Sequence, residues 1–74
     1  MHRLEKELIA LARNCPKNGV VSSTRAELIL IKEWYGLNDW ELCQVIANLR
    51  YHGLIQDFQL IYTMWGTIYK YWFK

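Results

Sequence analysis

The chain has 74 residues, enough for one small domain over residues 1–74 and too few for a second core. Hydrophobic residues make up 53% of it and aromatic residues 15%, a composition that excludes intrinsic disorder. Its formal net charge is only +2. The chain is therefore not strongly basic, and its charge alone does not indicate a nucleic-acid-binding protein.

The first elements are a helix and a short strand. Apolar residues recur at helical spacing from about Leu4 to Asn14 and predict the first helix. Pro16 should end this helix, and the Asn18-Gly19 pair is typical of a turn. The β-branched pair Val20-Val21 then predicts a small first strand.

A second helix is predicted from about Arg25 to Tyr35. Thr24 and Glu27 fit a capping box at its start, in which each side chain accepts a hydrogen bond from a free backbone N–H group. Gly36 suits the position after the helix, because glycine enters the left-handed conformation without penalty. A short turn that contains Gly36 between two helices indicates a helix-turn-helix.

The third helix begins at Asn38, with Glu41 as its capping-box partner. Its inward side should carry Leu42, Ile46 and other apolar residues at helical spacing. The opposite side carries Trp40, Gln44, Ala47 and Tyr51, with Asn48 on the flank.

A C-terminal β-hairpin follows Gly53. The segments from Leu54 to Tyr62 and from Thr67 to Phe73 have strand composition, and the residues from Thr63 to Gly66 should form the turn. Three helices, a small first strand and this hairpin predict an α+β fold of the winged helix-turn-helix class, with the hairpin as the wing.

The outward side of the third helix is the strongest functional candidate. Gln44 and Asn48 carry amides that can make paired hydrogen bonds to adenine, and Ala47 allows close approach or contact with a thymine methyl group. Trp40 and Tyr51 share this predicted base-reading face. The alternative is an ordinary solvated helix face, and the carboxylates near the helix start favour that alternative because they repel phosphates.

Three basic residues are the predicted phosphate contacts: Arg25, Lys32 and Arg50. Such contacts set the register and the salt dependence of DNA binding without reading sequence. Arg25 is the strongest of the three, because the free N–H groups of the first helical turn beside it also suit a phosphate.

The hairpin is rich in aromatic residues, and three interpretations compete for them: core packing, a protein interface and stacking of single-stranded bases. A short hairpin cannot bury them all, so some should form a protein interface. The residues expected there are Trp65, Tyr62, Tyr69 and Tyr71.

Other site classes have little support in the sequence. Cys15 and Cys43 show no metal-ligand spacing, and no nucleophile, base and orienting group occur together. We therefore expect no metal, no cofactor and no enzymatic activity. Without an apolar run long enough to span a bilayer, and with no signal peptide, the protein should be cytoplasmic.

Several features from Ser22 onward match the pattern of a known family: Asp39, Leu49, Gly53-Leu54-Ile55-Gln56, Gly66 and Tyr71-Trp72-Phe73. In these features the chain resembles the small winged-helix regulators of fimbrial operons, the PapI and FaeA type. The resemblance implies a cytoplasmic transcriptional regulator that binds double-stranded DNA through its third helix, often with a larger global regulator of the leucine-responsive type. It also puts Gln44 and Asn48 in the reading positions.

This chain departs from the family pattern in its hairpin, which contains Asp57 and has no Lys or Arg from Gln56 to Tyr69. The leading hypothesis is sequence-specific DNA binding. The alternative is a winged-helix protein-interaction module, which uses the aromatic hairpin to bind itself or a partner and has little or no affinity for DNA.

Overall fold

The computed structural model describes residues 2–15 and 19–72, which form a small α+β domain. Its three helices pack on a three-stranded antiparallel sheet, and the element order is compatible with a winged-helix topology. Pro16, Asn18 and Phe73, to which the sequence assigns local roles, lie outside the described residues. In chain order the elements are α1 (Arg3–Asn14), β1 (Val20–Ser22), α2 (Ala26–Trp34), α3 (Asp39–Tyr51), β2 (Asp57–Thr63) and β3 (Gly66–Trp72).

The start of α2 differs from the prediction. Arg25 is the N-cap residue, and no side chain accepts a hydrogen bond there, so the expected capping box of Thr24 and Glu27 is wrong. Thr24 belongs instead to a turn closed by the Arg25 N–H group, which donates to the Ser22 carbonyl at 2.9 Å. Its hydroxyl lies 3.0 Å from the Ser22 hydroxyl, away from the helix.

The turn between α2 and α3 forms as predicted. Gly36 has a φ of +64°, and the N–H group of Leu37 reaches back to the Lys32 carbonyl at 3.0 Å, which closes the helix end. Asn38 then caps α3. Its side chain accepts from the Glu41 N–H group at 2.8 Å, while the Glu41 carboxylate accepts from the Asn38 N–H group at 3.1 Å.

The hairpin begins three residues later than predicted, at Asp57 instead of Leu54. The reason is the end of α3, where Gly53 has a φ of +73° and the Leu54 N–H group bonds the Leu49 carbonyl at 2.9 Å. Leu54 then packs against the core, and Ile55 is buried within it.

The sheet has the order β1-β3-β2, so β3 is the central strand. Tyr71 pairs with Val21 on one side and with Phe58 on the other, and Tyr69 pairs with Leu60. Since side chains alternate along a strand, Tyr69 and Tyr71 lie on the same sheet face. That face packs on the helices, because both residues belong to the buried core cluster.

Candidate nucleic-acid interface

The outward face of α3 carries the predicted base-reading residues. Trp40, Gln44, Asn48 and Tyr51 are exposed, and Ala47 is half-buried. The inward side provides the core residues Leu42, Ile46 and Leu49. The helical periodicity therefore predicted correctly which residues α3 presents to its surroundings.

Gln44 and Asn48 lie one helical turn apart, about 6 Å along the axis. Within residues 2–15 and 19–72, neither amide makes a hydrogen bond, whereas Asn38 uses its side chain to cap the helix. The two amides are therefore available to an external ligand, and the half-buried Ala47 between them leaves the backbone of α3 accessible.

The N-terminal end of α3 is held to α2 by an ion pair. Lys32 Nζ lies 2.9 Å from Asp39 Oδ1, across the turn between α2 and α3. The negative charge of Asp39 also stabilises α3, because it lies at the positive, N-terminal end of the helix dipole. Lys32, a predicted phosphate contact, therefore lies next to α3, but the Asp39 carboxylate balances its charge.

The C-terminal end of α3 has a second ion pair, between Arg50 Nε and Asp57 Oδ1 at 3.0 Å. The same carboxylate oxygen accepts the Phe58 N–H group at 2.8 Å. These two hydrogen bonds, with that from the backbone the larger cause, lower the pKa of Asp57. Asp57 therefore joins α3 to the hairpin and balances the charge of Arg50.

Arg25 has a different setting from the one predicted, since it precedes the first turn of α2 as its N-cap. Its Nε lies 3.0 Å from Glu27 Oε2, within ion-pair distance. The angles between the two groups do not fit a hydrogen bond, however. The buried Arg25 Nε therefore has no hydrogen-bond partner among the described residues. The side chains of Arg25 and Lys32 are both partly buried, at 34% and 27% exposed, whereas that of Arg50 is 57% exposed.

All three basic residues are paired with carboxylates that the sequence analysis did not assign to them. Exposed pairs of this kind contribute only about 0–1 kcal/mol each, so a phosphate could replace the carboxylate at Lys32 or Arg50 at little cost. The residue spacing suggests the pairs of Lys32 and Arg50 only weakly, because each of these two pairs joins two elements across a turn.

The predicted aromatic interface divides into exposed and buried residues. Tyr62 is 78% exposed and Trp65 is 90% exposed, as expected for interface residues. Tyr69 and Tyr71 are only 2% and 0% exposed, so their assignment to a surface interface is wrong. Their side chains pack under the helices because they lie on the inner face of the central strand.

A groove of about 370 Å³ runs between α3 and the hairpin. Local sequence patterns do not predict this groove, because its formation depends on how the hairpin folds against α3. Burial, with a smaller contribution from Asp39, raises the pKa of the Cys43 thiol beside it. The lining of the groove is mostly apolar and comprises Asp39, Trp40, Cys43, Leu60, Tyr62, Thr67 and Tyr69.

Two further features, a metal-binding cluster and a membrane-spanning helix, are absent from the described part of the chain. It contains no group of three or more His, Cys, Asp or Glu side chains placed to hold a metal ion. None of its helices has both the length and the apolar character needed to cross a bilayer. No protein-family model, curated protein or solved structure matches this chain.

Proposed function

We propose that this chain is a DNA-binding transcriptional regulator of the winged-helix type, which inserts α3 into the major groove and acts in the cytoplasm. The observation that carries the proposal is the pair of amides of Gln44 and Asn48, which make no hydrogen bond among the described residues and lie on the exposed face of α3, the second helix of the predicted helix-turn-helix.

The chemistry of this face suits base edges. An Asn or Gln amide can donate to N7 or accept from N6 of adenine, and two such residues one turn apart can address neighbouring base pairs. The small side chain of Ala47 allows the helix to approach, while Trp40 and Tyr51 supply apolar contacts near the two ends of the face. Specificity would therefore come from amides and apolar contacts.

Lys32 and Arg50 supply the phosphate contacts in this proposal. They lie near opposite ends of α3, through their pairs with Asp39 and Asp57. On binding, each cation would exchange a carboxylate for a phosphate, or share both. Because the carboxylates stay close, the electrostatic part of the affinity should be small.

A titration of labelled duplex DNA at two or more salt concentrations tests the proposal. With Lys32 and Arg50 as the two phosphate contacts, the slope of log affinity against log salt should be shallow, about −2. A pool of random duplexes serves as the ligand, since the operator is unknown. The proposal fails if no duplex in the pool binds at low salt.

A second candidate function is a protein-interaction module that binds a partner through the hairpin tip. The exposure of Met64 and Trp65, each 90%, favours it, because large apolar side chains this exposed are typical of interfaces. The larger leucine-responsive regulator implied by the family resemblance is the partner to test. The two functions are compatible, since α3 and the hairpin tip are separate parts of the surface.

A further inference from the structure

Strand β2 is an edge strand whose outer side is open. The order β1-β3-β2 gives it a neighbour on one side only. The Ser23 N–H group bonds the Tyr69 carbonyl at 2.8 Å, so the backbone groups of Tyr69 point toward β1. The direction of the backbone N–H and C=O groups alternates along a strand, so the backbone groups of Lys70 point the other way, toward Gln59 in β2. The residues of β2 that direct their backbone groups outward are therefore Phe58, Leu60 and Tyr62.

Most of these outward groups are unpaired. Only the Phe58 N–H group has a partner among the described residues, the carboxylate of Asp57. The Phe58 carbonyl and both backbone groups of Leu60 and of Tyr62 make no hydrogen bond within that part of the chain. Edge strands are usually protected by lysine, proline or a bulge, yet β2 contains neither residue and pairs with β3 without interruption.

The side chains on this edge are apolar and partly exposed. Leu60 and Tyr62 lie on the helix-facing side of the sheet, since they pair with Tyr69 and Thr67. Leu60 is nevertheless 42% exposed, and both line the groove beside Trp40. The free backbone groups and this apolar surface therefore occur along the same strand.

We propose that β2 pairs antiparallel with β2 of a second copy of this chain, about a two-fold axis at Leu60, to give one continuous six-stranded sheet. In this register Leu60 lies opposite Leu60 of the other copy, and the two exchange both backbone hydrogen bonds. Phe58 lies opposite Tyr62, so each Tyr62 N–H group reaches a free Phe58 carbonyl. Each residue whose backbone groups point away from β3 therefore lies opposite another such residue in the second copy.

The charges and side chains also favour a second copy as the partner. The only charged residue in β2 is Asp57, which lies at the strand end and is already paired with Arg50. No like charges therefore meet at the axis, and a net charge of +2 per chain gives little repulsion between copies. Across the axis, Phe58 and Tyr62 would form an aromatic cross-strand pair, which stabilises antiparallel sheets.

Sedimentation velocity over a wide range of protein concentration, without DNA, tests the dimer. Leu60→Glu puts two carboxylates at the axis and should weaken dimerisation at least about tenfold. Gln59→Glu is the matched control, because it adds the same charge on the opposite sheet face, where residue 59 pairs with Lys70 of β3. Its dissociation constant should stay within about twofold of the wild-type value.

Amide hydrogen exchange of the wild-type protein provides a second test, which needs no variant. The Leu60 and Tyr62 amides should exchange rapidly in dilute solution and become protected as the concentration rises, whereas the Gln59 and Ile61 amides, bonded to β3, should be protected throughout. A protein that stays monomeric at the highest concentration, or a dimer that leaves the Leu60 and Tyr62 amides unprotected, would overturn the proposal. So would equal effects of the two glutamate variants in folded protein.

Discussion

The Tyr71 hydroxyl donates a 2.9 Å hydrogen bond to the backbone carbonyl of Leu8, 63 residues earlier in the chain. This bond joins the central strand to α1, and both residues are fully buried. Tyr71→Phe keeps the ring but removes the donor, so it should lower the free energy of unfolding by about 1–2 kcal/mol. Urea unfolding followed by circular dichroism measures the change. An unaltered unfolding curve would show that the bond contributes nothing to stability.

Alkaline pH should destabilise the fold through the buried tyrosines. Burial raises the pKa of Tyr69 and of Tyr71 well above the ordinary value. The unfolded chain releases these protons near pH 10, before the folded protein does, so this contribution is complete below about pH 10 and is lost as the pH rises.

Urea midpoints measured from pH 8 to pH 11 test this linkage. The midpoint should fall more steeply for the wild type than for Tyr71→Phe, because the variant has lost one of the two shifted phenols. All other ionisable groups are the same in the two proteins, so the difference isolates Tyr71. Parallel curves would contradict the assignment.

Asp39→Asn should increase the affinity for DNA. The substitution removes a carboxylate from the N-terminal end of α3 and frees Lys32, whose ammonium group lies 2.9 Å away. Affinity at low salt should rise about threefold to tenfold, and the salt slope should steepen by about 1. The control is Glu5→Gln on α1, which changes the net charge equally but frees no cation near α3. Equal gains in both variants would indicate a general charge effect and not a contact by Lys32.

Trp65→Ser tests the protein-interaction candidate. Because Trp65 is almost fully exposed in the turn, the melting temperature should change by less than about 2 °C. Binding to a leucine-responsive regulator, measured by calorimetry, should weaken at least about tenfold if the hairpin tip is the interface. A large loss of thermal stability would instead show that Trp65 is structural, and unchanged binding would exclude it from the interface.

Local patterns predicted the elements and the outward face of α3. Helical periodicity identified Gln44 and Asn48 as exposed residues, and the glycine and capping signals identified the turn before α3. These features depend on residues within a few positions of one another, so they can be read from the chain directly.

Long-range pairing explains what the sequence pattern missed. Alternation in the hairpin places Tyr69 and Tyr71 on one face, but their burial depends on β1 pairing with β3, about fifty positions away in the chain. The ion pairs of Lys32 and Arg50 likewise depend on the packing between elements. Thr24 does not cap α2 because it lies inside the turn from Ser22 to Arg25, which the Arg25 N–H group closes, and Arg25 takes the N-cap position.

Base discrimination by α3 is the most direct test of the central claim. Binding of Gln44→Ala and Asn48→Ala to a duplex selected by the wild type is compared with binding to a scrambled duplex. Gln59→Ala, which removes an exposed amide from the hairpin, is the control. Each α3 variant should lose about 1–3 kcal/mol of discrimination while the control loses none. Unchanged discrimination in both folded α3 variants would contradict the claim that this helix reads DNA.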